Sequence, residues 1–267
     1  MSTARSACPF QSFALARSER SSLGARVGVF AYGLVAYAAF FGTILYAIGF
    51  VGNWMVPKSI DSGAAGDTAA SLLINAALLS VFVVQHTVMA RPAFKRWVTR
   101  WLAPSMERST FVLAACGALA LVFWQWRPLP SIVWEVTQPA WAWVLRGVSL
   151  GGWATVFASS FMVSHFDLFG LRQVWFKLVG REYRPVGFRL VGLYRLVRHP
   201  LMLGFLLAFW ATPVMSVGHL FFGVMVSLYI AMGVWFEERD LVAEHGEDYL
   251  KYRRSVRAIV PLPRRAA

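Results

Sequence analysis

The sequence predicts an all-α integral membrane protein: four transmembrane helices, then a carboxyl-terminal helical hairpin. Three observations predict it. Of 267 residues, 58% are hydrophobic and 15% charged, whereas soluble domains carry about 25% charged residues. The apolar residues gather in runs near the ~20 residues a helix needs to cross a bilayer. The net charge of +13 sits in blocks between alternate runs, as Lys and Arg do on the cytoplasmic side of membrane proteins. Nucleic-acid binding is excluded on the same ground, because the bases do not form one face of a soluble domain. Membrane lipid is the expected partner of the basic loops.

Residues 1–26, rich in Ser, Ala and Arg with Glu19 as acid, read as a disordered basic cytoplasmic tail rather than a transit peptide. Residues 27–164 carry four apolar runs, at 27–51, 69–90, 110–126 and 141–164. Each is predicted helical, because lipid offers the backbone no hydrogen-bond partners. Gly147 and Gly151 in the fourth have the spacing that lets two helices approach closely, a spacing that chance also produces. Residues 165–200 are a polar connecting segment. The stretch 201–236 exceeds one crossing and is broken from Thr212-Pro213 to Gly218. Proline removes a backbone donor and glycine relaxes the chain, so two antiparallel arms are expected. Residues 237–267 read as cytoplasmic helices and a tail.

Orientation follows from the loops. Arg91, Lys95, Arg96, Arg100 and Arg108 face Glu107 alone in one, and Arg172, Lys177, Arg181, Arg184, Arg189, Arg195 and Arg198 crowd another. Lys58 with Asp61 and Asp67, and Arg127 with Glu135, leave the alternate loops near neutral. Both termini are therefore expected in the cytoplasm. Trp124, Trp126, Trp134, Trp141 and Trp143 would form an aromatic belt at the opposite interface. Cys8 and Cys116 suggest neither a disulfide nor a metal site.

The chemistry concentrates near the hairpin's wet ends. Pro200 suits the first turn of a helix, which puts Arg198 and His199 beside free backbone N–H groups at a positive dipole end, an anion site. Anchoring to lipid phosphates explains the same pair equally well. Glu237 and Glu238 close the far arm, where helix ends repel anions unless they are paired or the helix continues. Vicinal carboxylates suit ribose hydroxyls or a cationic centre; a solvated ionic face with Arg239 is the alternative. Gly246 can end one helix before Glu247 and Asp248 begin another, with Tyr249 and Arg253 on one face.

Arg-His-Pro-x-x-x-Gly, a hairpin, Glu-Glu, Gly-x-x-Tyr-x-x-Tyr and a final Ile-x-Pro (Ile259, Pro261) together resemble the isoprenylcysteine carboxyl methyltransferase and phospholipid methyltransferase superfamily. Met202 stands where that superfamily usually has tyrosine. A likeness over most of the chain, carried by Leu45–Asn53, Val56–Asp61, Ser164–Gln173 and Leu201–Pro213, resembles the methanethiol S-methyltransferase family. That resemblance implies methyl transfer from S-adenosylmethionine to methanethiol, giving dimethyl sulfide, in a bacterial inner membrane. It also implies a cytoplasmic cofactor-binding end built from Arg198, His199, Leu203, Gly204, Glu237, Glu238, Tyr249 and Tyr252. The methionine carboxylate is expected near Arg198 and His199, and the ribose near the acids.

A small thiol, no more acidic than cysteine at ~8.5, is mostly protonated at neutral pH, so a base or a positive field is needed. His165 with Asp167 is the first candidate, because a carboxylate raises an imidazole's basicity. Two positions apart, they need a turn or helix end to meet. His86, with Gln85, is the second; an interfacial structural role is the alternative for each. A larger acceptor, a lipid amine or prenylated cysteine, is the rival within the enzymes. A haem or metal module using His86, His165 and His199 is the rival outside them, without paired ligand spacing to support it.

Overall fold

A computed structural model describes residues 22–186 and 190–260; expectations resting on the tail up to residue 21, on Cys8, Glu19, Arg189 and Pro261 lie outside these. The described chain is built from α1 (Leu23–Gly52), α2 (Thr68–Ala90), α3 (Pro92–Val98), α4 (Glu107–Gln125), β1 (Ile132–Glu135) and α5 (Pro139–Val163). There follow α6 (His165–Leu168), α7 (Leu171–Leu178), α8 (Pro200–Trp210), β2 (Val214–Ser216), α9 (Val217–His245) and α10 (Glu247–Ser255). Four helices among the described residues are long and apolar enough to cross a membrane: α1, α2, α4 with its preceding 3-10 turn, and α9.

Two expectations shift here. The run at 141–164 does fold as a helix, α5, yet Arg146 and its Gly, Ser and Trp residues make it less apolar than the four. The second arm of the expected hairpin supplies the fourth instead, and α9 does not stop at Phe236 but continues through the acids to His245.

Local chemistry sets the ends. Ser22 and Asp67 accept from the backbone of Ala25 and Ala70, capping α1 and α2. Each satisfies a donor that the first helical turn leaves unpaired. Between α8 and α9 the chain leaves the helix at Ala211, and β2 pairs antiparallel with β1, so the break at Thr212-Pro213 is absorbed by a two-stranded clasp the sequence did not announce.

That clasp belongs to a polar knot at the end of the bundle remote from His199. Asn75, fully buried, pairs both its amide atoms with the Arg127 backbone at 2.8 and 2.9 Å. Asp61 accepts from Asn53 at 2.7 Å and from the Ser216 hydroxyl. Lys58 donates to the Trp124 carbonyl. Trp126 is fully buried against Phe50 and Phe222, its indole donating to Ile60. It is a core residue, not the belt residue expected, because its N–H finds a carbonyl inside. Trp124, Trp141 and Trp143 are exposed.

At the other end, α5 and α8 cross at backbone contact. A Cβ on Gly152 would stand 2.6 Å from the Gly204 oxygen, and one on Gly204 2.7 Å from the Gly152 oxygen. Gly147 and Gly151, the pair singled out by spacing, have nothing within 4 Å of an added Cβ. The close approach exists, one residue away from the expected pair.

Candidate functional site

The segment before α8 is held by the carboxyl-terminal strand of chain. Arg198 and His199 donate their backbone N–H groups to Arg257 and Ala258 at 2.8 and 2.9 Å. Pro200 then opens α8, its missing donor harmless at that position. Both side chains are thereby aimed at α9.

The buried Arg198 guanidinium donates to Glu238 from Nε at 2.8 Å and from Nη2, and from Nη1 to the carbonyls of Arg253, at 3.1 Å, and Val256. It ties α9, α10 and the segment after it into one unit. The His199 ring lies between the two acids: Nε2 is 3.1 Å from Glu238 and Nδ1 is 3.6 Å from Glu237. Glu238 is thus occupied by two partners, while Glu237 keeps about a quarter of its side-chain surface exposed. The acids are tolerated on a long helix because it continues past them and because they are paired, the two conditions that would relieve their repulsion.

Tyr249 and Tyr252 are buried and pack α10 on Leu241 of α9. Burial pushes the Tyr252 hydroxyl up to about 12, so it stays protonated and donates to the Tyr194 carbonyl at 2.6 Å. Leu203 is half-buried on the first turn of α8. Gly204 lies in the α5 crossing, where packing already requires a glycine.

The expected imidazole–carboxylate pair at 165 and 167 does not form. His165 contacts Tyr37 through Nε2 at 2.9 Å and Ser160 through Nδ1 at 2.8 Å, and stacks on Phe161. Asp167 instead accepts from Tyr183 at 2.7 Å and pairs with Arg172 at 3.4 Å. The helix does break at Ser164, but α6 restarts at once and points the two side chains apart. Burial pushes the His165 imidazole below its ordinary range, the opposite of what an adjoining carboxylate would do. Tyr37, Tyr183 and Tyr194 were not foreseen; single tyrosines in apolar or polar runs carry no local signal.

His86 lies near the carboxyl-terminal end of α2, its ring beside Phe82, Phe111 and Tyr229. Among the described residues no three His, Cys, Asp or Glu side chains gather as a metal site would need.

The chain is 52% identical over 237 residues to methanethiol S-methyltransferase 2 of Bradyrhizobium diazoefficiens, covering 89% of this chain and 91% of the relative. Methanethiol S-methyltransferase 1 of the same organism is 50% identical, over 87% of this chain and 81% of its own length. The methanethiol S-methyltransferase of Mycobacterium tuberculosis is 50% identical, over 88% and 96%. No family model and no solved structure matches the chain.

Proposed function

The chain belongs to the methanethiol S-methyltransferase family, and from that premise we propose that it methylates methanethiol with S-adenosylmethionine as donor, yielding dimethyl sulfide. It is a membrane methyltransferase acting on methanethiol. The observation that carries the choice of donor and site is the cluster of Arg198, His199, Glu237 and Glu238, four ionisable groups from the segment leading into α8 and from α9 at one end of an apolar bundle.

These residues suit such a donor. Glu237, with surface to spare, is the acid assigned to the ribose hydroxyls. Glu238 is committed to Arg198 and His199, and we assign it to shaping the site. That modifies the expectation for Arg198: its donors already face Glu238 and main-chain carbonyls, so its role is to hold the site together. The free backbone N–H groups of the first turn of α8 are assigned to the methionine carboxylate, with the His199 ring, held between Glu237 and Glu238, fixing that end of the helix and Leu203 beside it. Tyr249 and Tyr252 hold α10 closed over the acids.

The donor, when bound, supplies an electrophilic methyl group on a positively charged sulfur. The chain's part is to bring the thiol to it in a place without water, and holding two reactants together contributes about 7–11 kcal/mol at best. The satisfied hydrogen bonds of His165 favour a positioning role for it, bracing α5 against α1 through Tyr37, with Asp167 bracing α7. The basic loops at this end support a cytoplasmic orientation for the site and both termini, in a bacterial inner membrane.

The reading is tested by expressing the chain in cells fed methanethiol and measuring dimethyl sulfide in the headspace. Purified protein with labelled S-adenosylmethionine should label methanethiol and leave phosphatidylethanolamine and prenylcysteine unlabelled. Label in either of those and none in the thiol would overturn it.

A further inference from the structure

We propose that His86, set among Phe82, Phe111 and Tyr229, is the seat of the thiol and the group that takes its proton; this rests on the methyl-transfer reading above. The ring centroids of Phe111, Phe82 and Tyr229 lie 4.8, 5.2 and 6.3 Å from that of His86. His86 Nδ1 is buried with no hydrogen-bond partner among the described residues, and so is the neighbouring Gln85 Oε1. Buried polar atoms are normally paired, and each exception needs a reason. The other two histidines considered for chemistry have both ring nitrogens engaged, His165 by hydroxyls and His199 by carboxylates.

The surroundings select the ligand. Three aromatic rings and an imidazole suit a small, polarisable, uncharged molecule, and sulfur sits well at ring edges about 5 Å away. A charged head group would find too few partners there. The Arg108 guanidinium lies 4.9 Å from the centre of the Phe111 ring, a positive charge that favours a thiolate and equally disfavours an imidazolium at His86, so the ring must pass the proton on rather than keep it. The seat shares α9 with the acids of the donor cluster. Tyr229 and Glu237 are on α9, about 12 Å apart along its axis at 1.5 Å per residue. Just beyond, Arg91 at the end of α2 covers Phe236 and pairs with Asp240. Tyr229, Phe236 and Asp240 thus line the side of α9 that meets α2 and Arg91, while Glu237, next after Phe236, turns toward His199.

In the reaction the S–H proton passes to His86 Nδ1 and the thiol sulfur's electron pair forms the new S–C bond. The sulfonium's C–S bond breaks, its electrons staying on the donor sulfur, which leaves as a neutral thioether. His86 then returns the proton to water.

The test uses the full-length protein in detergent. His86→Ala should bind S-adenosylmethionine within about twofold of wild type in calorimetry, yet turn over methanethiol roughly 100- to 10,000-fold more slowly near neutral pH, the range for a lost general base. That deficit should shrink about tenfold per pH unit as buffer deprotonates the thiol. Without any donor, methanethiol should move the ring signals of His86 in spectra of ¹⁵N-histidine-labelled protein. Turnover within threefold of wild type, an unchanged pH profile, unmoved His86 signals or loss of donor affinity would each overturn the proposal. A wild-type protein inactive on methanethiol would instead sink the underlying reading. Should His86 variants fail to fold, Phe82→Ala enlarges the seat without touching the imidazole and should shift preference from methanethiol towards propanethiol; an unchanged ratio counts against the seat.

Discussion

Replacing Gly204 by alanine should loosen the α5–α8 crossing, whereas the same change at Gly151 should not. The added Cβ at 204 would meet the Gly152 oxygen at 2.7 Å and the Val156 nitrogen at 2.9 Å, where ordinary contact begins near 3.4 Å. Both are helix backbone atoms, so neither can swing aside, and α8 must move as a body. Overpacking costs about 1–3 kcal/mol. Alanine's better helix propensity returns roughly 0.8–1.0 kcal/mol. The Ser149 hydroxyl's bond to the Ala208 carbonyl, 2.9 Å long on the same crossing, is lost for about 1 kcal/mol more. The net destabilisation is about 1–3 kcal/mol, a fall in melting temperature of roughly 2–12 °C at about 2–4 °C per kcal/mol. Gly152→Ala should behave alike, since its Cβ would lie 2.6 Å from the Gly204 oxygen. Gly151→Ala should melt at or slightly above wild type. Thermal unfolding of the purified full chain, followed by tryptophan fluorescence in one detergent, reads all three. If Gly204→Ala melts with wild type, or Gly151→Ala falls beside it, the crossing is not where it is described.

Glu237→Ala should lower donor affinity about 10- to 100-fold, the worth of a lost charged hydrogen bond, while the melting temperature stays near wild type; calorimetry and unfolding separate the two. Glu238→Ala should instead destabilise the protein by about 3–5 kcal/mol, because Arg198 is left buried without its counter-charge. The double variant Arg198→Met with Glu238→Leu should recover only part of that stability, because the Arg253 and Val256 carbonyls lose their guanidinium donor, and should not recover donor binding. For His165 the sign is fixed by burial, which depresses its imidazole below the ordinary 6.5 in the folded state. The unfolded chain therefore takes up the proton first, and stability present above that value is lost as the pH falls below it. His165→Gln should flatten the decline in melting temperature between about pH 7 and about pH 5; an identical slope would remove the burial argument.

The helices were legible because a bilayer imposes a length, and runs such as 69–90 meet it whatever they pack against. Pairing was less legible. Gly151 and Gly152 differ by one position, yet on a helix that is a rotation of about 100°, and spacing within one helix does not say which face a partner takes. Arg198, His199, Glu237 and Glu238 are grouped by the family resemblance, since the residues alone leave lipid anchoring for the first pair and a solvated ionic face for the second open. His165 and Asp167 looked equally companionable, but each found other partners, Tyr37 and Ser160 for one, Tyr183 and Arg172 for the other. Tyr37 is 128 residues from His165 and Tyr183 is 16 from Asp167, so folding brings those two near, while Ser160 and Arg172, each five residues away, are chosen by how the chain turns at Ser164. The amphipathic α7 went unseen because eight residues within a polar loop are too few for a periodic signal. The β1–β2 clasp went unseen because its strands are four and three residues long.

The charged cluster is better understood as two functions than as one. Taken alone, a pair such as Arg198 and Glu238 at the mouth of an apolar bundle is a poor source of stability, since desolvation offsets most of the attraction. What the pair does achieve is connection. Through Nη1 the same guanidinium holds the carbonyls of Arg253 and Val256, and the backbone of Arg198 holds Arg257. Removing the segment after α10 would therefore strip Arg198 of most of its neutral acceptors and leave Glu238 as its chief partner. The ring of His199, 3.1 Å from that carboxylate, would lose its fixed position in turn. Glu237, facing His199 at 3.6 Å and partly open, is the member of the cluster that can change partner without unmaking the fold. A ligand-binding acid has to be able to do that, and a structural acid cannot.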